Sequence, residues 1–574
     1  MPRPFLVAAL LASLATAAYG HERGDHGDDR GQGRLLQPPT PTLSATAAQF
    51  SSLLAAEGAS GRALLGLSTG DPSGRTALAC GVAVYHYGYR TVDGQGRPAT
   101  ASGALMLPTG SQPTCSGRRP LLEYAHGTNL NRDYDLAALN DPANPAYSEA
   151  ALIAAMYAAQ GYIVVAPNYV GYDTSDVHYH PYLVKAQQSA DMIDALRAAR
   201  QALHRLERDD GSDGRQAVEP DGKFFLTGYS QGGYVALATE QAMQRRGIRV
   251  TAASPGSGPY ALAALVDYIF MGHPDLGAPS LGSLLVEGYQ HSYHNVYASA
   301  SQVFANGLYT PLPYATPGAA AASPLAANPP MFDAVAPSLA DITQLPRDAG
   351  ASADATLDLL FPSSVLPSGA SYTSADPAVI AQPVWTALFD TTGASSPYAP
   401  YNAFGSAFLP LWESSFSYSG TNDLITRAFR ADYLADAYLN PDGLFTGTTG
   451  MPTRSATNGL REDLARNDLR GYKPEAPTML CGGQADPIVY YPLDTAVMQR
   501  EWGAPTPTLF SLNVDSATPA KSGPTAAFAP VQQGFEAWKD RTLATDGPQA
   551  ELIGYHGAVG EFCALAARAF FSRF

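Results

Sequence analysis

Three residues far apart in the chain could together make a nucleophile. Gly228-Tyr229-Ser230-Gln231-Gly232 has the form Gly-x-Ser-x-Gly. It follows an apolar run at 224–227 (FFLT) and precedes a stretch of helical period at 232–246. Small residues on both sides let the chain turn sharply, so that the serine oxygen stands at the carboxyl end of a sheet. A helix starting there offers an N–H and a favourable dipole to a developing oxyanion. A serine hydroxyl is a poor nucleophile until a base takes its proton. The base and its orienting acid are sought downstream, in the order serine, acid, histidine. His556 lies in Gly554-Tyr555-His556-Gly557, whereas His273, His291 and His294 fall in a region of different character. Asp486, in Cys481-Gly482-Gly483-Gln484-Ala485-Asp486-Pro487, is the preferred acid, and Asp515 is its rival. The acid would hold the imidazole tautomer and stabilise the imidazolium. Two backbone donors must face the oxyanion. The N–H groups of Gln231 and of Thr128, in His126-Gly127-Thr128, are assigned here, and the Thr128 hydroxyl could add a bond.

These residues need elements to position them. Segments 82–91 and 98–107 flank Asp93-Gly94-Gln95-Gly96 and read as a β-hairpin. Residues 120–125 are a third strand, running into His126. Residues 162–166 (YIVVA) form a β-branched run expected to be buried on both faces. Helical periods occupy 148–159 and 181–204. Short apolar strands alternating with longer helices predict a mostly parallel α/β sheet. The pattern stops near Pro255 and resumes at 477–480 (PTML). Beyond it, 492–502 reads as helix, 507–513 and 550–553 as strands, and 558–572 as a last helix. The interruption, 256–466, has too many aromatic and aliphatic residues for a linker and is expected to be a mainly helical cap. The core is thus split into 46–255 and 467–574.

The length of 574 residues leaves room for this core and a further domain. With Asp+Glu 51 against Lys+Arg 35, the net charge of −16 repels phosphate backbones and argues against a nucleic-acid partner. Residues 1–20 carry a basic start, an apolar run from Phe5 to Leu14 and small residues at Ala15, Ala17 and Ala18. This reads as a signal peptide, and a secreted or periplasmic location is expected. Residues 21–45 read as a flexible polar tail, and its His21, Asp25, His26, Asp28 and Asp29 lack a rigid element to shape a metal site. Four cysteines suit an exported chain with two disulfides. The count allows three pairings; closeness in sequence favours Cys80 with Cys115, leaving Cys481 with Cys563 to bridge the acid and base segments. Asp173, Asp176, His178 and His180 read as a solvated loop near the pocket mouth.

At several of these segments the chain resembles the secretory lipase family of α/β-hydrolases, which holds the fungal lipase A type and related bacterial esterases. The matching pieces are Ser102-Gly103-Ala104-Leu105-Met106-Leu107-Pro108, His126-Gly127-Thr128, Pro167-Asn168-Tyr169-Val170-Gly171 and the GYSQGG turn. Asn467-Asp468-Leu469 with Pro474, Gly483-Gln484-Ala485-Asp486 and His556-Gly557 complete the set. The resemblance implies an α/β-hydrolase fold and hydrolysis of carboxylic esters through an acyl-enzyme, with a helical cap and no metal or organic cofactor. The interruption is longer than a modest cap, and so is the leading tail. The substrate, a lipid ester or a more polar one, and any contact with a lipid interface stay open for that reason. A serine peptidase or acyltransferase on the same fold is the alternative, and a binding protein on a hydrolase scaffold is a third reading.

Overall fold

A computed structural model describes residues 31–210 apart from Pro72, 218–270, 275 and 277–304, scattered positions from 425 to 446, and 450–574. Among the described residues nine strands form one sheet. They are β1 (Thr40–Ala45), β2 (Gly81–Val92), β3 (Pro98–Thr109), β4 (Gly117–Ala125) and β5 (Ile163–Pro167). After these come β6 (Val218–Tyr229), β7 (Ala252–Gly256), β8 (Thr478–Gly482) and β9 (Leu509–Asn513). Their order is β1-β2-β3-β5-β4-β6-β7-β8-β9. The first three strands run antiparallel, and every pairing from β5 to β9 is parallel. Parallel strands must be covered on both faces, and β5 is accordingly buried at all its residues.

The helices α1 (Ala47–Ala56), α2 (Gly58–Thr69), α3 (Tyr147–Met156), α4 (Lys185–Asp210) and α5 (Gln231–Arg245) belong to the first part of the core. After β7 come α6 (Leu262–Phe270), α7 (Ala278–Tyr293) and α8 (Gly459–Asn467). The chain ends with α9 (Thr495–Trp502), α10 (Ala529–Thr545) and α11 (Pro548–Phe571). Helices α4 and α5 pack together against the sheet, and α11 packs against α3, α10 and strands β6 to β8.

Register sets the functional edge. Ala125 pairs with Gly228, Tyr229 with Gly256, and Gly256 with Cys481. The carboxyl ends of β4, β6, β7 and β8 therefore stop side by side, where open α/β sheets place their sites.

Four expectations need correction. Residues 550–553 are not a strand but part of α11. Leu552, Tyr555, Val559, Phe562 and Cys563 repeat at helical spacing and are all buried, and that period prevails over the short apolar run. The expected 181–204 helix starts later, at Lys185. Residues 31–45, in the expected polar tail, join the folded core. Leu35 is buried and bridges to Tyr89, and β1 pairs with β2, so the expected tail of 21–45 does not extend through its second half. Strand β7 was not expected, because Ala252-Ala253-Ser254-Pro255-Gly256 lacks β-branched residues. Most of the expected cap, 305–424, lies outside the described residues, as does the segment 1–30.

Candidate active site

Strand β6 ends at Tyr229 and α5 begins at Gln231, so the whole turn is made at Ser230, with φ 59° and ψ −122°. A non-glycine residue there costs ~1–3 kcal/mol, held by its surroundings. The turn is tight enough that a Cβ at Gly232 would lie 1.9 Å from the Ala125 carbonyl, and one at Gly228 2.4 Å from the Gly232 carbonyl. The Ser230 N–H donates to the Gly256 carbonyl at 2.9 Å, clamping the turn to β7.

Three side chains meet here. Ser230 Oγ is 2.9 Å from His556 Nε2. His556 Nδ1 lies 2.9 and 2.8 Å from the two Asp486 oxygens. With Nδ1–H facing a carboxylate, Nε2 is left as the acceptor for the serine proton. His556 rises from α11, one residue past the buried Tyr555. Asp486 is 2 % exposed and is held by the N–H groups of Ile488 and Val489 at 3.0 and 3.1 Å and by the Ser257 hydroxyl at 2.7 Å. Ser257 follows β7 with φ 42°, a second strained residue at the strand edge. Tyr229 donates its hydroxyl to the His556 carbonyl and stacks near the imidazole, 4.8 Å between ring centres.

Among the described residues, neither the Gln231 N–H nor the Thr128 N–H has a hydrogen-bond partner. The Gly127 N–H is occupied, donating to Glu149 at 2.9 Å. Thr128, next to it, has its N–H free to donate. Its hydroxyl lies 2.9 Å from the Tyr182 hydroxyl and is thereby tethered. His126 is buried and stacks on Tyr169 at 4.0 Å, anchoring the loop.

His180 is not part of a solvated loop. It is 1 % exposed, its Nδ1 lies 2.8 Å from the Val170 carbonyl and its Nε2 is 2.6 Å from Gln231 Nε2. Burial drives its pKa down to about 3, so the ring is neutral and its Nε2 accepts the Gln231 amide. It thereby fixes the residue that follows the nucleophile. Nothing in the sequence marks this role, or those of Tyr229 and Ser257, because each depends on which loops the sheet brings together.

The rival acid Asp515 bonds the Lys539 ammonium and the Tyr555 hydroxyl instead. Tyr555 in turn accepts the Ala485 N–H at 3.0 Å, so Asp515 braces the acid loop without touching His556. His291 stacks on Tyr179 and His294 caps α7, while His273 lies outside the described residues, as do His21, Asp25, His26, Asp28 and Asp29 of the leading segment. His86, Asp135 and Asp173 are the one grouping among the described residues whose ligand atoms could share a metal, all lying within 4.8 Å. Asp173 already accepts from His86 at 2.7 Å and from the Ser102 hydroxyl at 2.6 Å. Disulfides join Cys80 to Cys115 and Cys481 to Cys563. The second ties the end of β8, ahead of Asp486, to α11 two turns beyond His556.

Two cavities meet at Ser230. One is a narrow apolar pocket of about 60 Å³ walled by α6 and α7 residues such as Leu262, Val266 and Leu285. The other is an open groove of about 780 Å³ that His556 and Thr128 line.

No family model and no curated protein matches the sequence. Solved structures do. A ligand-bound form of the rice cell wall degrading esterase LipA from Xanthomonas oryzae is 22% identical, with a TM-score of 0.55, covering 94% of this chain and 98% of that one. Another structure of that esterase gives 23% identity and a TM-score of 0.54 over 89% of this chain and 99% of that one. Candida antarctica lipase A in its closed state is more distant, at 13% identity and a TM-score of 0.36, over 82% of this chain and 74% of that one. The fold is that of the α/β-hydrolases, a mostly parallel sheet flanked by helices, as the motifs led one to expect.

Proposed function

We propose that the protein is an exported serine hydrolase of carboxylic esters, working through an acyl-enzyme. The observation that carries this reading is the pair of contacts made by one imidazole, Nε2 to Ser230 Oγ at 2.9 Å and Nδ1 to Asp486 at 2.8 Å. In the reaction, Ser230 Oγ attacks the ester carbonyl carbon while its proton passes to His556 Nε2. The oxyanion is received by the Gln231 and Thr128 N–H groups. The bond to the alcohol oxygen breaks as His556 returns the proton to it. Water then attacks the acyl-enzyme, giving a proton to His556, and the acid leaves as Ser230 is reprotonated. Asp486 keeps the tautomer throughout.

Two disulfides favour an oxidising compartment, which supports secretion or a periplasmic location. Among the described residues no helix is long and apolar enough to cross a membrane. The likeness to a cell wall degrading esterase makes polymer-linked esters a substrate class to test beside lipid esters.

Ser230→Ala should cut the turnover of p-nitrophenyl acetate by ~10⁴-fold or more. A fluorophosphonate should label the native protein at Ser230 and not the variant. A variant of undiminished activity, or labelling elsewhere, would overturn the assignment.

A further inference from the structure

We infer that the groove beside His556 holds the alcohol half of the ester, and that Glu561 makes it accept neutral or cationic alcohols and reject anionic ones. This rests on the esterase reading above and adds to it the chemical class of the leaving group.

The position of the base divides the substrate. Ser230 lines both cavities, but His556 lines the groove alone. The alcohol oxygen must collect its proton from His556 Nε2, so the alcohol lies on that side. Of the two cavities that the described residues form at Ser230, the narrow pocket between α6 and α7 is then the one for the acyl group. Thr128 lines the groove and Gln231 the pocket, which sets the carbonyl between them.

One face of α11 forms the groove wall. Ile553, His556, Gly557, Gly560 and Glu561 all line it, at helical spacing. A Cβ at Gly557 would meet nothing within 4 Å, so the wall is low next to the base. Among the described residues no lysine or arginine lines the groove, whereas Glu57, Glu149 and Glu561 do. Two of these carboxylates are engaged. Glu149 takes the hydroxyls of Tyr124 and Tyr134 and the Gly127 N–H, and Glu57 takes the Tyr147 hydroxyl. Glu561 has no partner among the described residues. Burial raises its pKa above the usual glutamate value, and no cation among the described residues pulls it back. It is thus a partly desolvated acid facing substrate space. When Glu561 is ionised, an anionic alcohol would add a second negative charge there, while an ammonium or a hydroxyl donor would supply the partner that Glu561 lacks and favour its ionised form.

The test uses the full-length protein and three acetate esters of matched size. Their leaving phenols carry a para carboxylate, a neutral carboxamide or a trimethylammonium. Rates are divided by each ester's spontaneous hydrolysis rate. At low salt the cationic ester should be favoured over the anionic one in kcat/KM by on the order of tenfold or more. Glu561→Gln should shrink that ratio several-fold, and Gly557→Arg, built into open space, should shrink or invert it. Equal rates for the three esters in the native protein would overturn the proposal. So would an unchanged ratio in both variants when melting shows them folded. Failure of the native protein to turn over any ester or to bind a fluorophosphonate would overturn the esterase reading itself, a different outcome.

Discussion

Ser257 places its hydroxyl 2.7 Å from Asp486, from a backbone with positive φ. A hydrogen bond to a charged group contributes about 1.5–3 kcal/mol. Asp486 keeps two backbone donors if this one is removed. Ser257→Ala should therefore slow ester turnover by roughly tenfold, near the lower limit that this bond strength implies, with KM little changed. Turnover equal to that of the native protein would show that the hydroxyl does not support the acid. The contrast with Ser230 shows what a sequence displays. Ser230 announces itself through its glycine neighbours and its place between a strand and a helix. Ser257 has no such frame, because β7 is a run of small residues and its neighbour Asp486 lies far along the chain. Asp486 was legible through its Asp-Pro loop after an apolar strand. His180 looked like one polar residue among several in a loop, and only the packing of that loop under Gln231 gives it a task.

The β-branched run of β5 was read well, while β7 and the first turns of α11, rich in glycine and alanine, were missed or misread. Gly554, Gly557 and Gly560 interrupt the apolar pattern of α11, so its first turns resembled a strand and a loop. His556 nonetheless lies against Ser230 and Asp486, the neighbours that chain order led one to expect for it, whatever element carries it. Helix α5 offers a test at this scale. Glu240, buried on α5, accepts the Thr478 hydroxyl of β8 at 2.8 Å with one oxygen, and its other oxygen has no partner among the described residues. Burial raises its pKa from 4.5 to about 8. Between those values the folded protein holds a proton that the unfolded chain has released. Stability therefore falls as pH rises through the window, by up to ~1.4 kcal/mol per pH unit. Glu240→Gln keeps an acceptor for Thr478 and removes the titration. Its stability relative to the native protein should rise from pH 5 to pH 8 and level off above. A difference in melting temperature that stays flat across that range would show that Glu240 is charged in the fold.

At the scale of the molecule, chain order led one to expect one split core with a domain-sized interruption between Ser230 and Asp486, and β7 and β8, from either side of it, pair in one sheet. How that interruption is fastened was not legible, because its anchors are charges whose partners are distant in sequence. Arg461, on α8 near its end, is buried and makes a two-pronged pair with Asp267 on α6 near its start, at 3.0 and 2.9 Å. It also reaches Asp436 at 2.8 Å, and Tyr433 donates to Asp267 at 2.7 Å. Arg470 does the same between Asp442 and Asp468. The Arg461 cluster thus joins the two ends of the interruption beside the walls of the narrow pocket, and the Arg470 cluster is a second buried set of charges next to its end. Buried pairs add little over apolar packing, but removing one partner leaves uncompensated charge and costs ~3–5 kcal/mol. Arg461→Met should lower the melting temperature by several degrees and weaken discrimination between acyl chain lengths, because α6 and α7 wall the acyl side. Adding Asp267→Leu and Asp436→Leu to Arg461→Met should restore much of the melting temperature, since no buried charge is then left alone. A triple variant that melts no higher than Arg461→Met would mean that the network is needed for its hydrogen-bond geometry and not only for charge balance. A single variant with native melting and native chain-length preference would show that the ends of the interruption are held elsewhere.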